Sequence, residues 1–594
     1  MITSDKFDQV FFRKPNLLDK RPQISNIIGL DTEAYFDGVP FMFCTSYGED
    51  IPEDQIPEVF FAPMYENANF MIYNLKYDSG AILRHLPLTH LKELHEFGDT
   101  EYNSIKYEYI PHKLLRLTKG KARVHFWNIA QFYRSTLNDA AKTYLHKEKH
   151  DIETKSFTRD YVEKNYKKIK DYCIQDAKLT AELGEYFINK LAEFKISATK
   201  LYSSAAISLK YFAERSRVNT VYKLWHENQD LLKYAVDAYS GGKFEVTARG
   251  AFSGHEYDIC SAYPYEIMNL IDISRCQYTF NKQYQPDAVY GFLDCIIENK
   301  TTNIHLPCGL RIDNLRKYPH GIFRVTITKN EFDYITTLKD VSIEIKSAWW
   351  IFVQRKRYPY KKVIDYLFKI KDDYKHIDKM MYNNVKVIMN GFYGKTSQIV
   401  KDKRKLHYVP GAAWNPIHAA VITANTRVKI TKVQNYLGPA CLAVHTDSVI
   451  TTATLPGTML KNELGGLLYE CSGPGTMIAC GMYQIGKKNA FKGFDPEDIK
   501  IIDDTDIDEI KEDWARILKK YPGQKSIPYP VTRVESWFSA MAKNYDKDRI
   551  NVFENYIKNM NLNGDSKRVW EYETDTTKLS DSLQQSSPIF IYSA

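Results

Sequence analysis

Short apolar runs punctuate the first third of the chain, at Ile27–Leu30, Phe70–Tyr73 and Val124–Trp127, with helical stretches between them. That alternation predicts an α/β unit over residues 25 to about 195. A helical run from Phe157 to about Phe194 closes it. A glycine-rich turn, Tyr239-Ser240-Gly241-Gly242, then precedes a strand that carries Asp258. From about 275 to 355 the pattern is short strands broken by Pro and Gly, which predicts an inserted unit. Residues 360 to 394 read as one or two long helices. Lys371, Lys375 and Lys379 recur every fourth position on one face, and Lys386 returns near it. A short basic loop follows (Lys401, Lys403, Arg404, Lys405), then a helix from about Pro416, where proline suits a first turn. A hairpin around Asp447 comes next, and residues 500 to 594 are mixed and carry little pattern.

The polar residues that interrupt the apolar runs carry the chemistry. Asp258, in Tyr257-Asp258-Ile259-Cys260-Ser261-Ala262-Tyr263-Pro264, and Asp447, in His445-Thr446-Asp447-Ser448, stand inside strand-like runs. A carboxylate buried there needs a partner or a metal. Two of them on neighbouring strands suit a two-metal phosphoryl-transfer centre, with the carbonyl of Ile259 as a neutral donor. Between them Lys386, Asn390 and Tyr393 share a helical face: a point charge for a triphosphate, an amide, and a ring for a base pair. Gly391 and Gly394 would keep that face shallow, and Tyr263 would lie under an incoming sugar and leave no room for a 2′-hydroxyl.

A second set lies upstream. Asp31 and Glu33 point to one side of a strand, Asp78 follows a strand near a helix start, and Tyr172 and Asp176 share a helix face. Together they are expected to hold two divalent cations through oxygen, with Tyr172 steadying a water. Singly each piece is commonplace, since acidic residues are mostly exposed. Their joint order and placement make the case.

Composition sets the frame. The 594 residues suffice for about four domain-sized units. A net charge of +8, from 81 basic and 73 acidic residues, permits a polyanionic partner without requiring one. The 43 tyrosines leave aromatics for stacking on bases. Nine scattered cysteines without a Cys-x-x-Cys pair argue against structural zinc and disulfides. The chain opens without a signal-peptide pattern and has no membrane-length apolar run, so a soluble cytoplasmic protein is expected.

These motifs resemble those of the family B DNA polymerases, specifically the protein-primed subgroup of phages and linear plasmids. Asp258-x-x-Ser261-Ala262-Tyr263-Pro264 resembles motif A, Lys386-x-x-x-Asn390-Gly391-x-Tyr393-Gly394 motif B, and His445-Thr446-Asp447-Ser448 motif C. Tyr239-x-Gly241-Gly242 resembles the linker that partitions a primer between synthesis and editing. The upstream set resembles the three motifs of DEDDy 3′–5′ exonucleases: Asp31 and Glu33; Asn74 and Asp78; Tyr172 and Asp176, with Asn74 and Tyr77 expected to contact DNA. Thr136-Leu137 and Lys149 resemble the subgroup's single-strand ligands, and Tyr483 its primer contact, with Lys487, Lys488 or Lys492 supplying the charge.

The resemblance implies an RNase H-like exonuclease domain (1–195) before a right hand of α+β type. That hand would comprise a first palm part (196–275), a first insertion (276–355), fingers (356–394), a short second insertion (395–415), a second palm part (416–495) and a thumb (496–594). It implies two Mg2+ or Mn2+ ions per site, primer-template DNA and deoxynucleotides as substrates, a terminal-protein primer, and a monomer acting in the cytoplasm, the host's if the genome is viral. The short second insertion speaks against strong strand displacement. His445 replaces the family's aspartate and removes a negative charge, which points to weaker activity or a preference for Mn2+. A primer-independent replicase, and a weakened polymerase acting as an exonuclease or DNA-binding factor, stay open as alternatives.

Overall fold

The structure is a computed structural model that describes residues 3–17, 22–150, 152, 157–491, 526–562, 566–570, 579 and 582–593. The apolar runs of the N-terminal third become neighbouring strands. Ile27–Ala34, Asn69–Ile72 and Ala122–Asn128 lie parallel in the middle of a seven-stranded sheet. Pro40–Thr45 pairs antiparallel on one flank, and an antiparallel meander over 99–119 completes the other. Ile28, Leu30, Phe70, Ile72, Val124 and Phe126 bury their side chains in one core, each stabilising the unit by about 1.5–3 kcal/mol.

The helix Arg159–Glu193 crosses this sheet, started by Thr158, whose hydroxyl accepts the Tyr161 N–H. It packs on the first strand at Gly29. A Cβ there would stand 1.7 Å from the Ala177 carbonyl oxygen, so only glycine allows the approach that brings Tyr172 and Asp176 over Asp31.

A nine-stranded sheet forms the centre of the molecule. Its Ala248–Ile259 strand runs between Leu467–Ala479 and Ser448–Thr451, so Asp258 lies on a central strand. Residues 275 to 355 fold as a separate antiparallel sheet of four strands. Helices Lys361–Tyr374, Lys379–Thr396 and Pro416–Leu437 lie between them in sequence, the last almost wholly buried.

Two expectations change here. Lys371, Lys375 and Lys379 do not share one helical face, because the first helix stops at Tyr374 and Asp378 caps the next by accepting the Met381 N–H at 2.9 Å. The basic loop is a two-stranded hairpin, Ile399–Asp402 with His407–Pro410.

The stretch 496–594, expected as one thumb unit, is shared among three parts of the fold where it is described; 492–525 lies outside the described residues. Helix Trp537–Ala542 enters the N-terminal core, with Trp537 Nε1 donating to Ser79 Oγ at 3.0 Å. Gln584–Ser587 pairs with the Asp258 strand, and Phe590–Ser593 adds a parallel fifth strand to the 275–355 sheet. Among the described residues no helix is long and apolar enough to cross a membrane.

Candidate active sites

The N-terminal sheet gathers four carboxylates. Asp31 and Glu33 project from the first strand. Asp78, in the first turn of helix Leu75–Leu83, accepts the Thr32 N–H at 3.1 Å and the Thr32 hydroxyl at 2.8 Å, which ties that helix to the strand. Asp176 comes from the long helix; Lys149 pairs with its Oδ2 and lies 4.5 Å over the Tyr172 ring. Burial is the largest cause that lifts these acids, and their mutual repulsion adds to it. Glu33 is pushed up to about 8 and Asp78 to about 7, with Asp31 also well above its ordinary value. Burial and the same carboxylates raise the Tyr77 phenol. Asp176 Oδ1 is buried without a hydrogen-bond partner. Clustered oxygen donors with one lysine against them fit divalent cations.

The expected single-strand ligands have local partners. Asn74 is exposed ahead of its helix. The Thr136 hydroxyl caps Leu137–Ala140, accepting the Asp139 N–H at 3.1 Å and donating to Asp139 Oδ2 at 2.7 Å. Leu137 is buried in the core, and Asp151 beside Lys149 lies outside the described residues.

In the central sheet Asp447 sits in the two-residue turn, Thr446-Asp447, between the paired residues His445 and Ser448 of the strands Cys441–Thr446 and Ser448–Thr451. The Ile259 N–H donates to the Asp447 carbonyl at 2.8 Å, and Ser448 pairs with Asp258, so the two acids meet across adjacent strands. Thr446, with φ of 65°, is a β-branched residue in a left-handed conformation. Gly242 makes room for it, since a Cβ there would stand 2.6 Å from Thr446 Cγ2. The Tyr239-x-Gly241-Gly242 turn is thus packed directly on the Asp447 turn. Burial, then the charge of Asp447, pushes Asp258 up to about 8. Burial lifts Asp447 to about 6, restrained by a backbone hydrogen bond and by Lys386 and Lys488.

Three tyrosines line one side. Tyr263 and Tyr393 have ring centroids 4.6 Å apart, and the Tyr393 and Tyr239 hydroxyls are 2.5 Å apart. Asn390 turns back to donate to the Lys386 carbonyl at 2.8 Å. Gly391 corrects the sequence reading. It faces helix Ser204–Arg215, where a Cβ would stand 2.7 Å from Ala205 Cα, so it serves helix packing, while Gly394 is open.

Several neighbours escaped sequence reasoning. Lys371 Nζ donates to Ser261 Oγ at 2.9 Å, and Lys386 is among the charges that hold its ammonium below its usual range, after burial. Glu256, two positions before Asp258, is buried and accepts from Lys488 at 2.7 Å and Tyr483 at 3.3 Å. Lys488 is therefore the lysine beside Tyr483; Lys492 lies outside the described residues. Period-two spacing from Asp258 was the available signal for Glu256. Arg427, a guanidinium inside an apolar helical run, pairs with Glu331 at 2.7 Å and donates to the Ser240 and Gly241 carbonyls at 2.5 and 2.9 Å. His445 stacks on Tyr483 at 5.1 Å and meets Phe244 at 5.4 Å, so its ring is part of an aromatic stack beside the acids.

Residues 119–411 match the family described as DNA polymerase type B, organellar and viral. A DNA polymerase of Acidianus bottle-shaped virus (isolate Italy/Pozzuoli) is 23% identical over 460 residues, 71% of this chain. The chain spans 65% of that curated relative's length. Among solved structures, phi29 DNA polymerase complexed with primer-template DNA and incoming nucleotides superposes with a TM-score of 0.60 at 14% identity, covering 91% of this chain and all of that one. The same polymerase with single-stranded DNA gives 0.53 at 14% identity, over 78% and 87%. The fold is therefore that of a mixed α/β, multidomain right-hand polymerase. By family model, relative and fold together, the chain is similar to the type B DNA polymerases of the organellar and viral kind.

Proposed function

We propose that the protein is a DNA-directed DNA polymerase with 3′–5′ proofreading, whose central sheet is the palm and whose N-terminal unit is the exonuclease. The observation that carries this reading is the meeting of Asp258 and Asp447 across adjacent strands, with Lys386 acting on both. Residues 356–394 serve as fingers, 276–355 and 395–415 as insertions, and, of the stretch 496–594, the hairpin Ser526–Val534 with Phe553–Asn561 as the thumb.

Asp258, Asp447 and the Ile259 carbonyl would hold Mg2+ or Mn2+ in the palm; Asp31, Glu33 and Asp176 would hold it upstream. Bound there, such ions acidify the attacking hydroxyl or water and steady the leaving oxygen. Lys386 and Lys371 bind the triphosphate, Tyr263 lies against the sugar, and Tyr393 packs on the nascent pair, held by Tyr239. Gly242 and Arg427 fix the loop that carries Tyr239. Tyr172 orients the hydrolytic water, while Asn74, Tyr77, Thr136, Leu137 and Lys149 line the single-strand path and Tyr483 the primer. The stacking of His445 on Tyr483 and Phe244 gives that residue a packing role, which favours a working palm over a weakened one.

Extension and degradation of an end-labelled primer on a template, in Mg2+ or Mn2+, test this reading. Asp447→Ala is expected to abolish extension and leave degradation, and an Asp31→Ala, Glu33→Ala double variant the reverse. Extension that survives in Asp447→Ala would sink the assignment. Priming by a terminal protein predicts covalent transfer of a labelled deoxynucleotide to a companion protein. Transfer to DNA primers alone favours a primer-independent replicase.

A further inference from the structure

The helix Lys379–Thr396 brings Lys386, Asn390 and Tyr393 toward the palm acids, yet its first half is held by the N-terminal unit. The Asp378 carboxylate that caps it accepts the Tyr186 hydroxyl at 3.4 Å, and the Met380 N–H donates to the Tyr144 hydroxyl at 3.1 Å. Tyr186 belongs to the long helix Arg159–Glu193, and Tyr144 to the turn that precedes it.

One turn further on stands Asn384, a polar side chain only 4% exposed. Its amide donates to the Phe132 carbonyl at 2.8 Å and to the Met380 carbonyl at 2.9 Å. Its oxygen accepts the Ser204 hydroxyl at 2.7 Å. Both amide hydrogens and the oxygen are thereby engaged. Phe132 lies in the short helix Ala130–Tyr133 of the N-terminal unit, and Ser204 opens the helix Ser204–Arg215.

The apolar part of the same face is pliable. It consists of Met380, Met381, Val385, Ile388, Met389 and Phe392, and methionine adapts to a helix that slides or turns. A buried amide does not adapt, because a displaced one leaves its N–H and the facing carbonyl unpaired. Asn384 therefore fixes the register of this helix, as a single buried amide does in a coiled coil. Two positions on and about 200° round the helix, Lys386 is exposed, and its charge acts on both Asp258 and Asp447. Asn384 points the other way, so it reaches that site only through the helix.

We propose that Asn384 is a positioning residue for nucleotide binding: by locking the Lys386 helix onto the Phe132 carbonyl, it lets the N-terminal unit set where Lys386 meets an incoming triphosphate. This rests on reading Lys386 as the lysine of the triphosphate.

Single-nucleotide extension of a primed template by the full chain, with KM and kcat for the deoxynucleotide, tests it. Asn384→Leu keeps the size of the side chain and removes its bonds. KM is expected to rise about tenfold, with kcat and primer degradation within about twofold of native. Because the effect runs through Lys386, the double variant should have the KM of Lys386→Ala alone. A merely structural fault would add to it. Ser204→Ala removes one bond of the three and spares Phe132, so its KM should rise only about two- to threefold. If Asn384→Leu shows no cooperative unfolding transition, Ser204→Ala with and without Lys386→Ala decides, and no rise there overturns the role. A KM within about twofold of native in folded Asn384→Leu overturns it, as does a loss confined to kcat or a rise repeated in full on Lys386→Ala. In each of those cases native extension leaves the polymerase reading standing. No extension by the native chain in Mg2+ or Mn2+ overturns that reading, and the positioning role falls with it.

Discussion

The two acidic sites reach similar chemistry by different construction. In the N-terminal unit a helix is laid over a strand, and the contact that sets the distance is backbone on backbone, at Gly29 and Ala177. In the central sheet the second acid sits in a hairpin turn, and the contact is backbone on side chain, at Gly242 and Thr446. The charges differ too. The N-terminal site draws Lys149 onto Asp176, whereas near the palm acids Lys488 is engaged by Glu256 and Lys371 by Ser261. The first site sets its lysine directly on an acid, whereas the second sets its lysines on neighbours of its acids.

The sharpest way to break this comparison is to add one carbon to each glycine. In Gly29→Ala the new methyl meets a carbonyl 1.7 Å away that cannot rotate aside. Lifting the helix is expected to cost about 3 kcal/mol or more, at or beyond the upper end for overpacking. Primer degradation should vanish, extension should stay within a fewfold, and an early unfolding transition should appear in calorimetry. Loss of both activities together would show that the sites are not built independently. Gly242→Ala presses on a side chain instead, and the expected loss is about a hundredfold in extension, as for a 1 Å misplacement. Degradation should be spared, and Thr446→Gly in the same chain should restore extension, since glycine also suits the turn's φ of 65°. Failure of that rescue would move the cause elsewhere.

Much of this was legible in the sequence, for a definite reason. Asp31 and Asp258 break apolar strand patterns, Asp447 stands in the turn of an apolar hairpin and Asp78 follows an apolar strand, and a charge in such a place announces itself. The α/β order of the first unit follows from its alternating apolar runs, and the helix start at Pro416 from proline's place in a first turn. Contacts between distant segments had no such signal. Nothing local says that Trp537 belongs in the N-terminal core, or that Phe590–Ser593 adds an edge to the 275–355 sheet. Gly391 and Gly242 illustrate the limit. Both stand in motifs, one serves helix packing and the other an acid-bearing turn, and only the partner across the contact tells them apart.

The charges can be compared by titrating stability. Glu33 at about 8 and Asp447 at about 6 both lie above their ordinary values, so the folded chain holds protons that the unfolded chain has released. Their contribution is full below about pH 4 and is lost as pH rises through those values. Between about pH 6.5 and 8.5 the remaining loss is shared by Glu33 and Asp258, both near 8, while Asp447 has already released its proton. His305 and His418, held near 4 by burial, are already neutral there and act only at lower pH, where acid removes stability. Cation-free protein is expected to lose about 1–3 kcal/mol across that window. Glu33→Gln should flatten the slope more than Asp447→Asn, and Mg2+ should restore stability more at the alkaline end. Equal slopes in the two variants, followed by chemical denaturation at each pH, would mean that the sites are electrostatically alike.

The smallest effect concerns the join between the two halves. The hairpin Ile399–Pro410 reaches the N-terminal unit through Arg404, which bonds Glu93 at 2.9 Å and the Asp99 carbonyl at 3.0 Å and lies 4.4 Å over the Phe97 ring. The guanidinium is 45% exposed, so solvent screens most of that attraction and the latch stabilises by about 1 kcal/mol at most. Arg404→Ala should leave both activities and the main unfolding transition nearly unchanged. Faster amide exchange should be confined to the hairpin and to the facing segment from Leu88 to Tyr102. A global loss above about 2 kcal/mol exceeds what an exposed ion pair supplies. It would mean that the hairpin locks the halves into one cooperative body, and that the independence expected of Gly29→Ala and Gly242→Ala is itself set by this contact.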